Sequence, residues 1–227
     1  MSAPGARGEL FVVATPIGNL EDITLRALRV LRECDCVVAE DSRRTRKLLS
    51  AHAISKPVVS LPAFDERARI PALLGRLERG ERLALCTDAG TPAVSDPGAA
   101  VVREARAAGH AVIPIPGASA LTTALSAAGV GADSFCFMGF LPRTPGKLRR
   151  SLESALACGR TVAFYESPQR LARTLRLAAP LLGDRDVVVA RELTKLHETF
   201  HTGTALELVE EFSARPPRGE CTILVKN

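Results

Sequence analysis

A segment near the end of the chain carries residue types that bind zinc in many proteases. His197, Glu198 and His201 have the spacing H-E-x-x-H, which on a helix places two imidazoles one turn apart, with a glutamate beside them to polarise a zinc-bound water. The surroundings oppose a helix, because residues 187–190 form a Val-Val-Val-Ala run and Gly203 follows soon after. We therefore predict a polar loop after a strand, with no metal site.

The composition is that of an ordinary globular protein. The chain has 227 residues, enough for one large or two small domains. Its 30 Lys and Arg outnumber its 25 Asp and Glu, giving a net charge of +5, and the pI of about 9.1 makes an RNA partner worth considering. A generally cationic surface is the simpler alternative.

Cysteine use and hydropathy indicate the compartment. The six cysteines form no C-x-x-C pair and most have apolar neighbours, which is typical of buried thiols in a reducing environment. The longest uncharged run, residues 111–132, contains Pro and Gly and would make a poor membrane helix. We expect a cytoplasmic protein without a membrane partner.

Short apolar strands alternate with amphipathic helices in the first half of the chain. This order predicts a parallel sheet with helices on both faces. The predicted strands are residues 10–14, 36–39, 57–61, 83–87 and 111–115, and the predicted helices are 24–34, 42–51 (capped by Ser42), 67–79 and 97–108.

The pattern becomes less regular after a break at Pro114-Ile-Pro-Gly117. Here we predict helices at 119–128, from Thr144 and Pro145 onward, and at 204–213, with strands at 135–140, 161–165, 186–190 and 221–225. The fold class is thus α/β with two α/β domains, residues 1–115 and 116–227.

The loops after the predicted strands are rich in Gly, Pro and hydrogen-bonding side chains. They are residues 14–20, 40–47 and 88–98, and ligands of open α/β sheets bind beyond the carboxyl ends of strands. Neither G-x-G-x-x-G nor G-x-x-x-x-G-K-[ST] occurs, which disfavours a dinucleotide site and a P-loop. A small ligand with amino, carboxylate and ribose groups would suit these loops. Asp88 would receive a hydroxyl or ammonium group, and the N–H groups around Gly90 and Thr91 a carboxylate.

Eight ordered motifs make the sequence resemble a known family. They are ATPIGNL, AEDSRRTRKLL, DAGTPAVSDPG, PGASA, GFLPR, FYESPQR, ARELTKLHE and the terminal RGE. Together they are similar to the S-adenosylmethionine-dependent methyltransferases of the tetrapyrrole methylase superfamily. The similarity is greatest to the branch that methylates the ribose 2′-hydroxyl of a cytidine in the decoding region of small-subunit ribosomal RNA.

The resemblance implies a fold, a cofactor and partners. The methyl donor would lie in a cleft between the two α/β domains of a homodimeric enzyme. The substrate would be small-subunit ribosomal RNA or the assembled subunit, and no DNA partner is expected. The residues implied to bind S-adenosylmethionine are Pro16, Gly18, Asp88, Gly90, Thr91, Val94, Ser119, Ala120, Phe164 and Leu193. The chain departs from the family pattern at Ser42, which stands for Thr, and at Gln169, which stands for His.

The proton of a ribose hydroxyl needs an acceptor or a group that weakens its bond. Glu166 and Glu192 each follow an apolar strand and are the leading catalytic candidates. For both, the alternative is a structural ion pair, for instance with Arg170 or Arg191. The second-rank candidates are Asn19, Lys195 and His197.

Two clusters of basic residues are candidates for RNA phosphates. The first is Arg43, Arg44, Arg46 and Lys47; the second contains Arg143, Lys147, Arg149 and Arg150. A solvated helix face is the alternative for either cluster.

Two other functions remain open at this stage. A methyltransferase of a corrin or porphyrin precursor would share the fold, and its arginines would bind substrate carboxylates. A ribosome-binding protein that retains the donor pocket only as a relic would bind S-adenosylmethionine weakly or not at all.

Overall fold

A computed structural model describes residues 8–226 of the protein. It contains two compact α/β units, the first ending at Ser119 and the second beginning at Ala120. The predicted boundary after residue 115 falls at the end of a strand, Ala111–Ile115, just before this division.

The first unit is a parallel sheet covered on both faces, as predicted. Its elements are β1 (Glu9–Val13), α1 (Leu25–Glu33), β2 (Cys36–Ala39), α2 (Ser42–Ala51), β3 (Val58–Ser60), α3 (Glu66–Glu78), β4 (Arg82–Cys86), α4 (Ala99–Ala107) and β5 (Ala111–Ile115). The strand order is β3-β2-β4-β1-β5, and every pairing is parallel.

The continuous apolar strands are explained by two separate cores. Successive side chains of a strand point to opposite faces. Leu83 and Leu85 of β4 therefore pack with residues of α3 and α4, whereas Ala84 and Cys86 pack with residues of α1 and α2. Because both faces are buried, no position in β4 needs a polar residue to face water.

The start of α2 differs by one residue from the prediction. Ser42 is the first helical residue, and Asp41 is the cap, its side chain accepting a hydrogen bond from the backbone N–H of Arg43. Asp is as effective a helix cap as Ser, which explains why Asp41 can take the place predicted for Ser42. Thr24 caps α1 by accepting from the N–H of Ala27.

The second unit has a mixed sheet. Its elements are α5 (Ala120–Ala127), β6 (Phe135–Phe140), α6 (Pro145–Leu156), β7 (Thr161–Glu166), α7 (Pro168–Leu182), β8 (Val187–Arg191), β9 (Thr199–Gly203), α8 (Ala205–Ala214) and β10 (Cys221–Val225). The order is β6-β7-β10-β8-β9, with β6 and β7 parallel and the other three pairings antiparallel.

Helices α7 and α8 supply much of the second core. Leu171, Leu175 and Leu182 of α7 and Phe212 of α8 are buried together with Phe164 of β7. Neither α7 nor β9 was predicted from the sequence. In residues 8–226 no helix combines the length and apolar character needed to cross a bilayer.

Candidate functional site

Three loops of the first unit meet beyond the carboxyl ends of β1, β4 and β5. These strands are neighbours in the sheet. Thr15 and Gly90 exchange two backbone hydrogen bonds, of 2.9 and 3.0 Å, and the Thr91 hydroxyl donates to the carbonyl of Ala118 at 3.3 Å. The loops that carry Pro16 and Gly18, Gly90 and Thr91, and Ser119 therefore lie at one edge of the sheet.

Asp88 ties the loop after β2 to the loop after β4. Its Oδ1 accepts from the N–H of Asp41 at 3.0 Å, and its own N–H donates to Oε2 of Glu40 at 3.3 Å. The Nε of Arg44 lies 3.4 Å from Oδ2 of Asp88, whose side chain is 25% exposed. Burial raises the pKa of the Glu40 carboxyl. Asp88 thus presents a fixed, partly exposed carboxylate where the loops after β2 and β4 meet.

The loop after β4 has an unusual backbone path. Ala93 and Ser95 both have positive φ, 69° and 64°, a conformation that is uncommon outside glycine and clusters at functional sites. Gly98 is required at its position, because its φ is +124° and an added Cβ would lie 2.9 Å from Cδ2 of Leu85. Glu66 holds the end of the loop by accepting from the N–H of Gly98 at 3.1 Å.

One N–H group predicted to bind a ligand in this loop is used within the protein. We expected the N–H groups around Gly90 and Thr91 to take a carboxylate, but the N–H of Gly90 donates to the carbonyl of Thr15. The backbone pairing between the loops of Thr15 and Gly90 therefore occupies this N–H group. Val94 at the loop tip is 40% exposed.

Asn19 has a local structural contact. Its Oδ1 accepts from the N–H of Glu21 and caps a short 3₁₀ helix, Leu20–Asp22. Its predicted role in catalysis stays a prediction.

The H-E-x-x-H residues do not lie on a helix. His197 is in a turn, whereas His201 is in β9, so residues Thr199–Gly203 correct the predicted loop to a strand. The His201 ring bonds to Glu211 at 2.7 Å and to the Thr199 hydroxyl at 3.0 Å. Glu198 accepts from the N–H of Thr194 at 2.6 Å. The helical zinc geometry is not formed, and these side chains bind their neighbours instead.

Arg191 explains why this segment pairs as a strand. Its guanidinium donates to the Thr199 hydroxyl and to the carbonyls of His197 and Arg218. One side chain at the end of β8 thereby fixes the turn, the start of β9 and the segment before β10.

A second polar cluster forms around Lys195. Its Nζ donates to Oε1 of Glu192 and to Oε2 of Glu220, both at 2.9 Å, and Glu192 also accepts from the N–H of Glu220 at 3.0 Å. Burial raises the pKa of the Glu192 carboxyl, but these hydrogen bonds outweigh it and the net pKa is lowered. For Lys195, burial lowers the pKa, and the bonds to Glu192 and Glu220 reverse this to a raised pKa.

The RGE motif is explained by this cluster. A Cβ at Gly219 would lie 1.9 Å from Oε1 of Glu192, and Gly219 has φ +87°. Glu192 itself has φ +52°. Sequence analysis missed Glu220, although its place in RGE was the available signal.

Glu166 is buried and fully engaged. Its side chain is 0% exposed; Oε1 accepts from the N–H of Ser167 at 2.8 Å, and Oε2 from the Thr174 hydroxyl at 2.6 Å. Arg170 lies 3.1 Å from Oε2. This geometry supports the alternative interpretation, a structural ion pair with Arg170.

The remaining predicted donor contacts from the second unit have buried side chains. Phe164 is 0% and Leu193 is 7% exposed. Both contacts stay predictions. Ala120 is the first residue of α5.

Two of the basic side chains after β2 are paired. Arg43 lies 3.0 Å from Asp41, and their hydrogen bond lowers the pKa of Asp41 to about 2; Arg44 faces Asp88. Arg46 donates to the hydroxyl of Ser42 at 3.4 Å. The cluster is therefore less cationic than its sequence indicates.

Comparison with known proteins shows the family of the chain. The family model "Tetrapyrrole (Corrin/Porphyrin) Methylases" matches residues 9–209, and the chain belongs to this family. It is 45% identical to the Ribosomal RNA small subunit methyltransferase I of Thermotoga maritima over 218 residues, which cover 96% of this chain and 98% of the relative.

Solved structures share the fold. A cobalt precorrin-4 methyltransferase of cobalamin biosynthesis has a TM-score of 0.73 at 20% identity, covering 96% of this chain and 94% of that one. A Uroporphyrin-III C-methyl transferase from Thermus thermophilus, complexed with S-adenyl homocysteine, has a TM-score of 0.69 at 19% identity, covering 96% and 97%. The family resemblance and the predicted α/β fold are confirmed.

Proposed function

We propose that the protein transfers a methyl group from S-adenosylmethionine to the ribose 2′-hydroxyl of a cytidine in small-subunit ribosomal RNA. The observation that carries this proposal is the similarity to a relative named Ribosomal RNA small subunit methyltransferase I, at 45% identity over 98% of that relative. The motif loops that converge in the first unit support it.

The converging loops fit the charge and shape of the donor. S-adenosylmethionine, when bound, would supply the methyl group from a cationic sulfonium, and it also carries an ammonium group and ribose hydroxyls. The partly exposed carboxylate of Asp88 is the chemical complement of these groups. Gly117 lets its loop approach β1 closely, since an added Cβ would lie 3.0 Å from the Cβ of Ala14. We assign Pro16, Gly18, Thr91, Val94 and Ser119 to this surface.

Glu192 and Lys195 are the residues we assign to the attacking hydroxyl. In the reaction the ribose O–CH₃ bond forms as the sulfonium S–CH₃ bond breaks, and the hydroxyl proton is released. Lys195 remains protonated at neutral pH because its pKa is raised, so it cannot accept this proton. Its positive charge would stabilise the developing alkoxide, while Glu192 takes the proton directly or through water.

RNA contacts are assigned to exposed cations. Arg46, Lys47 and Arg143 are exposed, and exposed cations near RNA release counterions from its phosphates. Arg43 and Arg44 would have to exchange their carboxylate partners for phosphate, which is feasible because exposed ion pairs contribute only about 0–1 kcal/mol.

We also propose that the enzyme acts in the cytoplasm as a homodimer. Light scattering of the purified protein at several concentrations tests the dimer. A mass equal to one chain at micromolar concentration would exclude it.

Mapping ribose methylation by mass spectrometry tests the main proposal. Small-subunit RNA from cells lacking the protein should lose one 2′-O-methylcytidine, and expression of the wild-type protein should restore it. Purified protein should label these subunits with a methyl group from S-adenosylmethionine. An unchanged methylation pattern, together with activity on a corrin or porphyrin precursor, would establish the tetrapyrrole alternative instead.

A further inference from the structure

A cavity of about 390 Å³ lies in the second unit, where α6 and α7 begin. Its volume is in the range of ligand sites, which is about 300–1,000 Å³. Two leucines line part of it, and the polar lining residues are Arg143, Ser167, Gln169, Arg170, Arg173 and Thr174. Three arginines and no acidic residue line the cavity, so its chemistry suits an anion.

The arginines of the cavity differ in how they are held. Arg170 donates to the carbonyl of Leu141 at 3.0 Å and pairs with buried Glu166 at 3.1 Å. Its guanidinium is therefore oriented before any ligand arrives. Arg143 and Arg173, both exposed, form no hydrogen bond or ion pair within residues 8–226. Glu166 compensates one of the three positive charges, and two remain for a ligand.

Neither helix start at the cavity has a side-chain cap, although the carbonyl of Ser167 accepts from the N–H of Arg170 and Glu166 accepts from the N–H of Ser167. The cap residues Thr144 of α6 and Ser167 of α7 make no side-chain hydrogen bond to their helices, and neither first turn contains an acidic residue. The first N–H groups of a helix need acceptors, and the positive end of the helix dipole favours an anion there. Guanidinium groups match the oxygens of a phosphate with two parallel hydrogen bonds.

We propose that this cavity binds a backbone phosphate of the RNA substrate. This inference rests on the proposed function and extends it, because it assigns Arg170, Arg173, Ser167 and the α7 start to substrate positioning. A phosphate contact fixes the position of a strand without reading its bases. The site consists of second-unit residues only, whereas the loops assigned to the methyl donor belong to the first unit.

The double variant Arg143→Ala, Arg173→Ala tests this site on small ribosomal subunits from cells lacking the enzyme. We expect KM for subunits to rise about tenfold and kcat to stay within about twofold, since phosphate contacts act in binding. The slope of log affinity against log salt for RNA should fall by about one per arginine removed. Affinity for S-adenosylmethionine, measured by calorimetry, should not change.

Arg176→Ala is the matched control. Arg176 is exposed on the same helix but does not line the cavity, so this variant loses one positive charge, the same as each single substitution of the double variant, and should behave as wild type. If the wild type methylates subunits and the double variant matches Arg176→Ala, the cavity proposal is overturned while the proposed function stands. If the wild type methylates no ribosomal RNA, the proposed function itself fails.

Methylphosphonate scanning identifies the phosphate. An RNA fragment spanning the methylated nucleotide is made with one neutral methylphosphonate linkage at a time. Wild type should bind one such fragment about tenfold more weakly than the others, and the double variant should show no preference at that linkage. If the wild type binds inorganic phosphate in the cavity but no linkage matters, the site takes a free small anion and the RNA assignment is wrong.

Discussion

The substitution Glu166→Gln separates a structural role of this carboxylate from a catalytic one. Both oxygens of Glu166 accept hydrogen bonds, Oε1 from the N–H of Ser167 and Oε2 from the hydroxyl of Thr174, and Oε2 also forms an ion pair with Arg170 at 3.1 Å. A glutamine side chain has one oxygen and one NH₂ group. Its NH₂ group must therefore face a donor in either orientation, and at least one charge-assisted hydrogen bond is lost.

The expected loss follows from the number and burial of these bonds. Hydrogen bonds to charged groups contribute about 1.5–3 kcal/mol each, so we expect the free energy of unfolding to fall by about 2–4 kcal/mol. For chains of about this length 1 kcal/mol shifts Tm by about 2–4 °C, which gives a decrease of roughly 5–15 °C. Turnover should change by less than about threefold, because the carboxylate is 0% exposed.

Calorimetry and methyl-transfer kinetics of the purified variant provide the two measurements. Glu153→Gln is the control, since Glu153 pairs with Arg149 on the surface of α6 and an exposed pair contributes about 0–1 kcal/mol. Loss of a general base lowers turnover by about 10²–10⁴. A decrease in kcat of that size with an unchanged Tm would refute the structural role.

Three further outcomes are expected. Asp88→Ala should weaken the binding of S-adenosylmethionine, measured by calorimetry, by about 10–100-fold, which corresponds to the loss of one charged hydrogen bond. If Asp88→Ala and Arg43→Ala bind S-adenosylmethionine with equal affinity, the donor surface is wrongly assigned. Because the pKa of Glu192 is lowered in the fold, its ionised carboxylate stabilises the protein at pH values above the ordinary pKa of 4.5, and this contribution is lost as the pH falls through the folded pKa. Glu192→Gln should therefore lower the free energy of unfolding, measured by chemical denaturation, at pH 7 but not in acid. A decrease of the same size at every pH would contradict this. Gly219→Ala should displace the Glu192 carboxylate and lower the free energy of unfolding by at least about 1–2 kcal/mol. Gly146 has open space around it, so the control Gly146→Ala should be neutral or stabilising. Equal Tm values of these two variants would refute the steric argument.

The first unit was largely predictable because its central strands β1, β2 and β4 are buried on both faces. Its short apolar runs have one structural solution, parallel pairing between helices, and β2 and β5 have the predicted ends, Cys36–Ala39 and Ala111–Ile115. The errors are at caps and ends, where the choice between Asp41 and Ser42 depends on which side chain reaches a backbone N–H.

The second unit was harder because tertiary contacts decide two of its elements. β9 contains His201 and Thr202 and pairs with β8 partly through contacts of Arg191, which a local pattern does not show. The missed helix α7 did leave a signal. Pro168 follows Ser167 at its start, Gly183 follows its last residue, and its buried residues recur at helical spacing.

The candidate site was predictable as a set of loops but not as a set of bonds. Gly, Pro and Asp at strand ends predicted a candidate ligand surface, and Asp88 does join the loops after β2 and β4. Sequence could not indicate that the N–H of Gly90 is used by Thr15, or that Glu166 is enclosed by Thr174 and Arg170. Such facts depend on the approach of segments far apart in the chain.

The left-handed backbone at Glu192 and Thr194 has a consequence for engineering. Each position, with φ of 52° and 66°, would be relieved by glycine, because glycine adopts this conformation without a steric penalty. Glycine at residue 192 would also remove the carboxylate that accepts hydrogen bonds from Lys195 and from the N–H of Glu220, so the relief of strain there is offset by the loss of these bonds. Variants that carry glycine at either position should therefore be screened for methyl transfer as well as for melting temperature.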